Sequence, residues 1–459
     1  MTVVTRIAPA PTGFLHIGNA RTALFNWLFA RHHQGTYLVR VEDTDQARST
    51  NAAIDAIFKG FEWLGLLPDA PAVFQSQNAP RHVEAARQLF QEGKAYYCTC
   101  TPESLETMRA EALAQGRQPR YDGRCREQHH TQGALRLRLT KEGSLTIHDM
   151  VQGEVTVENC QLDDFILLRS NETPTYMLSV VVDDHDMKIT HIIRGDDHLT
   201  NAFRQTHLYQ AFGWEIPKFA HVPLIHGPDG AKFSKRHGAP SVEEYKKMGY
   251  LPEAMCNYLV RLGWSHGDDE FISMEQAIAW FSPEHIGKSP ARFDFKKLNN
   301  INAHYLRALS NQELLQRLNP FLKETLGRDL TPEEEDILEK GLTGLKQRAE
   351  TLVQLRDNAL FYITPPKDYD AKGQSLLTAE ALDHVQAFKA SLETVGPWTE
   401  EALEQHARTF CEATGIGLGK MAQPLRVLLT GTTVSPSVFE IFYSLGKEKS
   451  MGRLERAAS

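Results

Sequence analysis

The sequence predicts an α/β protein: a doubly wound parallel sheet, broken by an α+β insertion and followed by an all-α C-terminal third. Three observations carry this reading. Short β-branched runs alternate with helical stretches over the first 100 residues. The same strand-then-helix rhythm returns near residue 190, and beyond residue 300 helix starts replace strand signals.

"VVTRIAPAP" (residues 3–11) is a β-branched run stopped by prolines, and "HIGNARTALFNWLFARHH" (16–33) is apolar on nearly every face, as a buried crossover helix is. "TYLVRVED" (36–43) is a second short strand, after which residues 50–65 return to helical periodicity. From about 100 to 187, "ALRLRL", "LTIHDM" and "FILLRS" speak for strands and turns, the mark of an insertion. "KITHIIRGDDHL" followed by "RQTHLYQAFGW" resumes the α/β pattern. Capping boxes stand at Ser241–Glu244, Ser273–Gln276 and Ser310–Glu313. Thr331-Pro332 with Glu334, and Thr399 before Glu400 and Glu401, open two more helices. The chain therefore divides into the first half of the sheet (1–100), the insertion (101–187), the second half (188–225), a region carrying a basic loop (226–305) and the helical part (306–459).

At 459 residues the chain has room for two to four domains. Apolar residues at 41% and charged ones at 24% are ordinary for a globular protein. The N-terminus lacks the basic and apolar regions of a signal peptide, and no stretch approaches the length of a membrane span, so no membrane partner is expected and the cytoplasm is the default. Six cysteines in this length do not make a disulfide framework. A net charge of −8 argues against coating DNA or RNA by bulk charge, while leaving room for local basic patches. Residues 420–459 hold six Lys or Arg against three Glu, a patch or a mere fluctuation of charge.

Two stretches carry chemistry. "PTGFLHIGNA" (11–20) falls between the first strand and the first helix, the sheet edge where ligands bind. Gly13 and Gly18 let a nucleotide approach the backbone, and His16 can donate to a phosphate at the helix entrance, though a His and two glycines in a turn also occur for structure alone. "AKFSKRHGA" (231–239) gathers Lys232, Ser234, Lys235 and Arg236, which read as a solvated turn or as a polyphosphate clamp. Glu42, Asp43 and Asp45 could be a metal cluster or a solvated turn, and Cys98, Cys100 and Cys125 a structural zinc site or three free thiols.

His16-Ile17-Gly18-Asn19 and Lys232-Phe233-Ser234-Lys235-Arg236 resemble the His-Ile-Gly-His and Lys-Met-Ser-Lys-Ser signatures of class I aminoacyl-tRNA synthetases. "RIAPAPTGFLHIGNARTALFNWLFAR", "VRVEDTD", "PTYMLSVVVDDHDMKITHIIRGDDHL", "YLPEAMCNYLVRLGWSHGD" and "LGKMAQPLRVLLTGTTVSPSVFEIF" are similar to bacterial glutamyl-tRNA synthetases, so the resemblance spans essentially the whole chain. It implies a Rossmann-type catalytic domain, an inserted acceptor-binding domain, a stem-contact region and a helical anticodon-binding domain. The implied activity is ligation of L-glutamate to tRNA(Glu), and also or instead tRNA(Gln), through glutamyl-adenylate, by a monomer using ATP with Mg²⁺. It further implies phosphate contacts from His16, Lys232, Ser234 and Lys235, and an ATP site with Gly13, Gly18, Asn19 and Asp197. Arg6, Glu42, Tyr176 and Arg194 would bind glutamate, and Arg348 would touch the anticodon, unless it is a plain surface arginine. Zn²⁺ would sit on Cys98, Cys100 and Cys125, with His129 or Glu127 as fourth ligand, since the family's Cys-x-His ends here in Glu127. Ala10 stands where the family carries a serine that assists the substrate ammonium; Asn19 replaces a histidine and Asp197 a glutamate. A non-catalytic tRNA-binding paralogue is the alternative. A glutaminyl enzyme would continue into β-barrels, which the helical tail does not allow.

Overall fold

The computed structural model describes residues 2–44, 49–233 and 240–455. The chain forms two compact units, Met1–Glu244 with Met255–Asp294, and Tyr245–Ala254 with Phe295–Ser459.

The first unit is built on parallel strands. β1 (Val4–Ile7), α1 (Ile17–His32), β2 (Thr36–Val41), α2 (Asn51–Leu64) and β3 (Val73–Phe74) form the β-α-β run, with β1, β2 and β3 paired in parallel. α1 is buried over most of its surface, with Asn19 and His32 exposed at its two ends. Three polar residues are buried in it: Asn26 donates to the Ile193 carbonyl at 2.9 Å, Thr22 to the Gly18 carbonyl at 3.0 Å, and Arg21 to the carbonyls of Leu262 and Pro223. α3 (Ala79–Gln91) and β4 (Ala95–Cys98) lead to α4 (Pro102–Ala114), β5 (Ala134–Leu137), the β6 (Ser144–Asp149) and β7 (Gly153–Glu158) hairpin, and β8 (Ile166–Leu168). β4, β5 and β8 make a separate antiparallel sheet, so β4 belongs with the inserted strands although it precedes residue 101.

α5 (Tyr176–Asp186) falls within 101–187, yet it packs on α6 (Leu199–Phe212), the crossover between β9 (His191–Gly195) and the parallel β10 (Lys218–Val222). The Thr190 N–H donates to the Val4 carbonyl at 3.0 Å and the Val4 N–H to the Thr190 hydroxyl at 2.8 Å, which sets β9 beside β1. The spatial order β3-β2-β1-β9-β10 therefore switches direction between β1 and β9, and a crevice at the strands' carboxyl ends follows from that switch. β11 (Ile225–His226) follows, then α7 (Val242–Lys247), α8 (Pro252–Arg261), α9 (Met274–Trp280) and β12 (Ala291–Arg292), which pairs in parallel with β11.

The second unit is helical: α10 (Phe295–Ala308), α11 (Asn311–Leu326), α12 (Pro332–Leu345), α13 (Leu352–Ile363), α14 (Ala371–Leu376), α15 (Ala379–Leu392), α16 (Glu400–Thr414), α17 (Leu418–Thr430) and α18 (Val438–Glu455). The boxes at Ser241, Ser273, Ser310 and Thr331 all close reciprocally, and the Thr399 hydroxyl accepts from the Ala402 N–H. α12 and α13 touch at Gly341, where a Cβ would lie 2.4 Å from the Tyr362 ring. The unit is larger than 306–459. The Leu352 N–H donates to the Gly249 carbonyl and the Leu251 N–H to the Asn302 side chain, tying Tyr245–Ala254 and α10 into it. Much of the tail's positive charge is used internally. Arg453 is buried against the Leu429 carbonyl, Lys447 donates to the Glu393 carbonyl and Lys449 pairs with Glu333.

Candidate active site

The carboxyl ends of β1, β2 and β9 deliver Arg6, Arg40 and Arg194, all three buried. Bare buried guanidinium groups are costly, and two of these are neutralised at close range. Arg6 places Nε and Nη2 on the two oxygens of Asp184, each at 3.0 Å. Arg40 reaches Asp184 at 2.5 Å and Glu42 at 3.3 Å. Next to it in α5, Asp183 accepts from Gln75, Asn78 and His82 at 2.8–2.9 Å. Asp184, Asp183 and Arg40 anchor this site, and nothing in the sequence pattern singled them out.

Arg194 differs. Its Nε donates to His221 Nε2 at 3.1 Å and its Nη2 reaches the His198 carbonyl at 3.4 Å, while Nη1 is buried with no hydrogen-bond partner. Among the described residues no carboxylate pairs with it, and burial lowers its pKa. Glu42 is the counterpart: burial raises its pKa despite the nearby Arg40 and Arg6. The Tyr176 hydroxyl, at the start of α5, lies 3.1 Å from His198 Nδ1. The site thus holds an arginine without a carboxylate partner among the described residues and a carboxylate whose pKa burial raises although Arg40 lies 3.3 Å away. Asp43 accepts from Ser76 through both its N–H and its hydroxyl. Asp45 lies outside the described residues.

His16 caps the start of α1, and a Cβ on Gly18 would meet nothing within 4 Å, so the first turn of α1 is open to a ligand. Asn19 is exposed beside it, Gly13 is partly buried in the preceding loop, and Ala10 is exposed. Across the crevice, Asp197 follows β9, and Lys232 Nζ lies 3.1 Å from its carboxylate. A Cβ on Gly195 would fall 2.6 Å from Asp197 Oδ1, so glycine there makes room for this carboxylate. Ser234, Lys235 and Arg236 lie outside the described residues. The chain is tied on both sides of them. The Phe233 N–H donates to the Ile225 carbonyl before the loop, and the Val242 N–H donates to the Leu15 carbonyl after it. The described flanks, Phe233 and Val242, are thereby held to β11 and to the residue before His16.

In the antiparallel region, the sulfurs of Cys98, Cys100 and Cys125 lie within 4.8 Å of one another. The Tyr121 hydroxyl accepts from the Cys125 N–H at 3.0 Å. Burial opposes the Cys125 thiolate, yet the Tyr121 hydroxyl and its neighbours bring the pKa down to about 6, while burial and the other thiols push Cys100 up to about 11. Neither expected fourth ligand joins the cluster. Glu127 accepts from Arg138 at 2.7 Å, and His129 is exposed at a φ of 51°. Three thiols this close fit the size and softness of a zinc site, and the Tyr121 hydroxyl stands beside the backbone of Cys125.

In the helical unit Arg348 is exposed just beyond α12. It lies near Arg426, whose Nε donates to the Ser435 hydroxyl, and near Glu440, which accepts from the Gly344 N–H at 2.7 Å.

Residues 2–300 match the family described as class I tRNA synthetases (E and Q), catalytic domain, and residues 313–458 match an anticodon binding domain. The chain is 57% identical to glutamate–tRNA ligase 2 of Paramagnetospirillum magneticum over all of its length and 98% of the relative's. It is 56% identical to glutamate–tRNA ligase 2 of Rhodospirillum rubrum over the full length of both. Its fold matches the crystal structure of a glutamate tRNA ligase from Elizabethkingia meningosepticum in complex with its amino acid, with a TM-score of 0.89 at 29% identity, covering 100% of this chain and 99% of that one.

Proposed function

From the membership of this chain in the class I tRNA synthetases of the glutamate and glutamine kind, we infer that it ligates L-glutamate to tRNA at the expense of ATP. A glutamate carboxylate oxygen attacks the α-phosphorus of ATP, and pyrophosphate leaves. A hydroxyl of the terminal tRNA ribose then attacks the acyl carbon, and AMP leaves. No bond to the enzyme is needed, so the protein's part is positioning and charge stabilisation.

One observation carries the placement of the amino acid: the buried Nη1 of Arg194, which has no hydrogen-bond partner among the described residues, with the buried carboxylate of Glu42 in the same site. An amino acid supplies a partner to each at once, its carboxylate to Arg194 and its ammonium to Glu42. Arg6 keeps Nη1 for a substrate oxygen because Nε and Nη2 are spent on Asp184. Tyr176 contributes its hydroxyl beside them. The missing hydroxyl at Ala10 leaves the ammonium to Glu42.

For ATP, His16 and the basic loop (Lys232, Ser234, Lys235) are proposed to neutralise the phosphates, with Gly13, Gly18 and Asn19 leaving the approach clear and Asp197 facing the ribose. Mg²⁺ would screen the triphosphate when bound. Zinc is proposed on Cys98, Cys100 and Cys125 with the Tyr121 hydroxyl, as a structural fastening of the inserted strands near the acceptor end. Residues 226–305 would touch the stem, and Arg348 the anticodon, where splayed bases are read by stacking and hydrogen bonds. tRNA and ATP place the work in the cytoplasm.

We propose tRNA(Glu) as the acceptor. The test is charging of purified tRNA(Glu) and tRNA(Gln) separately with labelled glutamate. Charging of tRNA(Glu) alone is expected; charging of tRNA(Gln) would make the protein a source of misacylated tRNA for later amidation.

A further inference from the structure

Arg194 owes its unpaired charge to what stands behind it. On the parallel strands β9 and β10, Arg194 and His221 are register partners, and the contact between them is Nε–H to imidazole Nε2 at 3.1 Å. A guanidinium can only donate, so His221 Nε2 must be the acceptor and the proton must sit on Nδ1. Nδ1 in turn lies 2.6 Å from Asp149 Oδ2. Asp149 is itself fixed by backbone amides: Val151 at 2.9 Å, Gln152 at 2.8 Å and His221 at 3.1 Å. His221 and the Asp149 side chain are fully buried, so water cannot replace either partner.

We propose that Asp149 and His221 are positioning residues for the glutamate site: Asp149 selects the Nδ1–H tautomer of His221, which orients Arg194 without neutralising it. This rests on the reading of Arg194 as a carboxylate receptor. The contrast lies within the same site, where Asp184 orients Arg6 and cancels its charge at the same time. An imidazole acceptor supplies the geometry alone, and the charge is left for the substrate. The selecting residue, Asp149, ends β6 of the inserted strands, 72 residues from the histidine it sets.

The test uses the full-length enzyme in tRNA charging, with KM for glutamate, KM for ATP and kcat measured for each variant. Asp149→Asn is nearly isosteric, but its amide would donate to Nδ1, move the proton to Nε2 and turn it against the Arg194 N–H. A hydrogen bond to a charged group is at stake, so KM for glutamate is expected to rise about tenfold to a hundredfold, with KM for ATP within about twofold. His221→Leu should do the same. His221→Gln, which can present an acceptor oxygen, should recover most of the loss, whereas His221→Asp should not, because its carboxylate quenches the charge. If Asp149→Asn fails to fold, the Gln and Asp substitutions at 221 carry the comparison. Equal glutamate KM values for those two, or parallel rises in both KM values, overturn the proposal. Arg194→Lys separates the layers. If it raises glutamate KM while the 149 and 221 variants do not, only the positioning chain falls. If it leaves glutamate KM unchanged, the reading of Arg194 falls and takes the chain with it.

Discussion

Lys232 and Asp197 hold each other across the nucleotide crevice, Nζ to carboxylate at 3.1 Å, joining the start of the basic loop to the turn after β9. Their side chains are 58% and 43% exposed, so the pair contributes about 1 kcal/mol or less and yields readily to a stronger partner. In the proposed binding mode ATP offers that partner to both: phosphate oxygens to the lysine, ribose hydroxyls to the aspartate.

Lys232→Ala should therefore raise KM for ATP by about tenfold, in line with one charge-assisted contact, and leave thermal stability essentially unchanged. Charging kinetics and a melting curve on the same preparation check both halves. A large drop in melting temperature would assign Lys232 to the fold instead.

Gly195→Ala tests the same carboxylate from behind. The new Cβ would stand 2.6 Å from Asp197 Oδ1, so the carboxylate must swing away. KM for ATP should rise several-fold, while KM for glutamate, set at Arg6, Glu42 and Arg194, should hold. Steady-state kinetics with each substrate varied in turn separates the two.

The thiol cluster should carry about one zinc per chain by elemental analysis. Cys125→Ala should lose the metal and lower the melting temperature, and prolonged chelation of the wild type should reproduce that loss.

His191 makes stability depend on pH. Burial, then the nearby Lys218 and His33, lowers its pKa to about 4, and its ring packs on Phe29 at 4.8 Å. In the unfolded chain it takes a proton near pH 6.5. Between about 6.5 and 4 the unfolded state therefore binds more protons, and stability falls as pH falls through that window. His191→Gln removes this titration, so its melting temperature should drop less than the wild type's between pH 7 and pH 5.

Much of this site was legible because its parts are local signals. A glycine-flanked histidine at a strand–helix junction and arginines at strand ends announce themselves over a few residues. Capping boxes do the same, and those at Ser273, Ser310 and Thr331 formed as the spacing required. Asp184, Arg40, His221 and Asp149 gave no such signal. "VVDDHD" looks like any polar helix end and "HDMVQG" like any turn, and their meaning lies in partners 178, 144 and 72 residues away. The fourth ligand proposed for the thiol cluster was hidden for a related reason. The family's Cys-x-His pattern drew attention downstream of Cys125, whereas the hydroxyl beside the sulfurs belongs to Tyr121, one loop turn upstream.

The pairing of Arg6 with Asp184 also governs how this chain can be made. Arg6 emerges from the ribosome 178 residues before its partner does. At about 5–20 residues per second, roughly 10 to 35 s pass before the carboxylate is available. Over that interval β1 carries an unpaired cation that cannot be buried, so the parallel sheet cannot close around it. The N-terminal strands must wait, and any chaperone that attends this chain during synthesis has its task set by one buried ion pair.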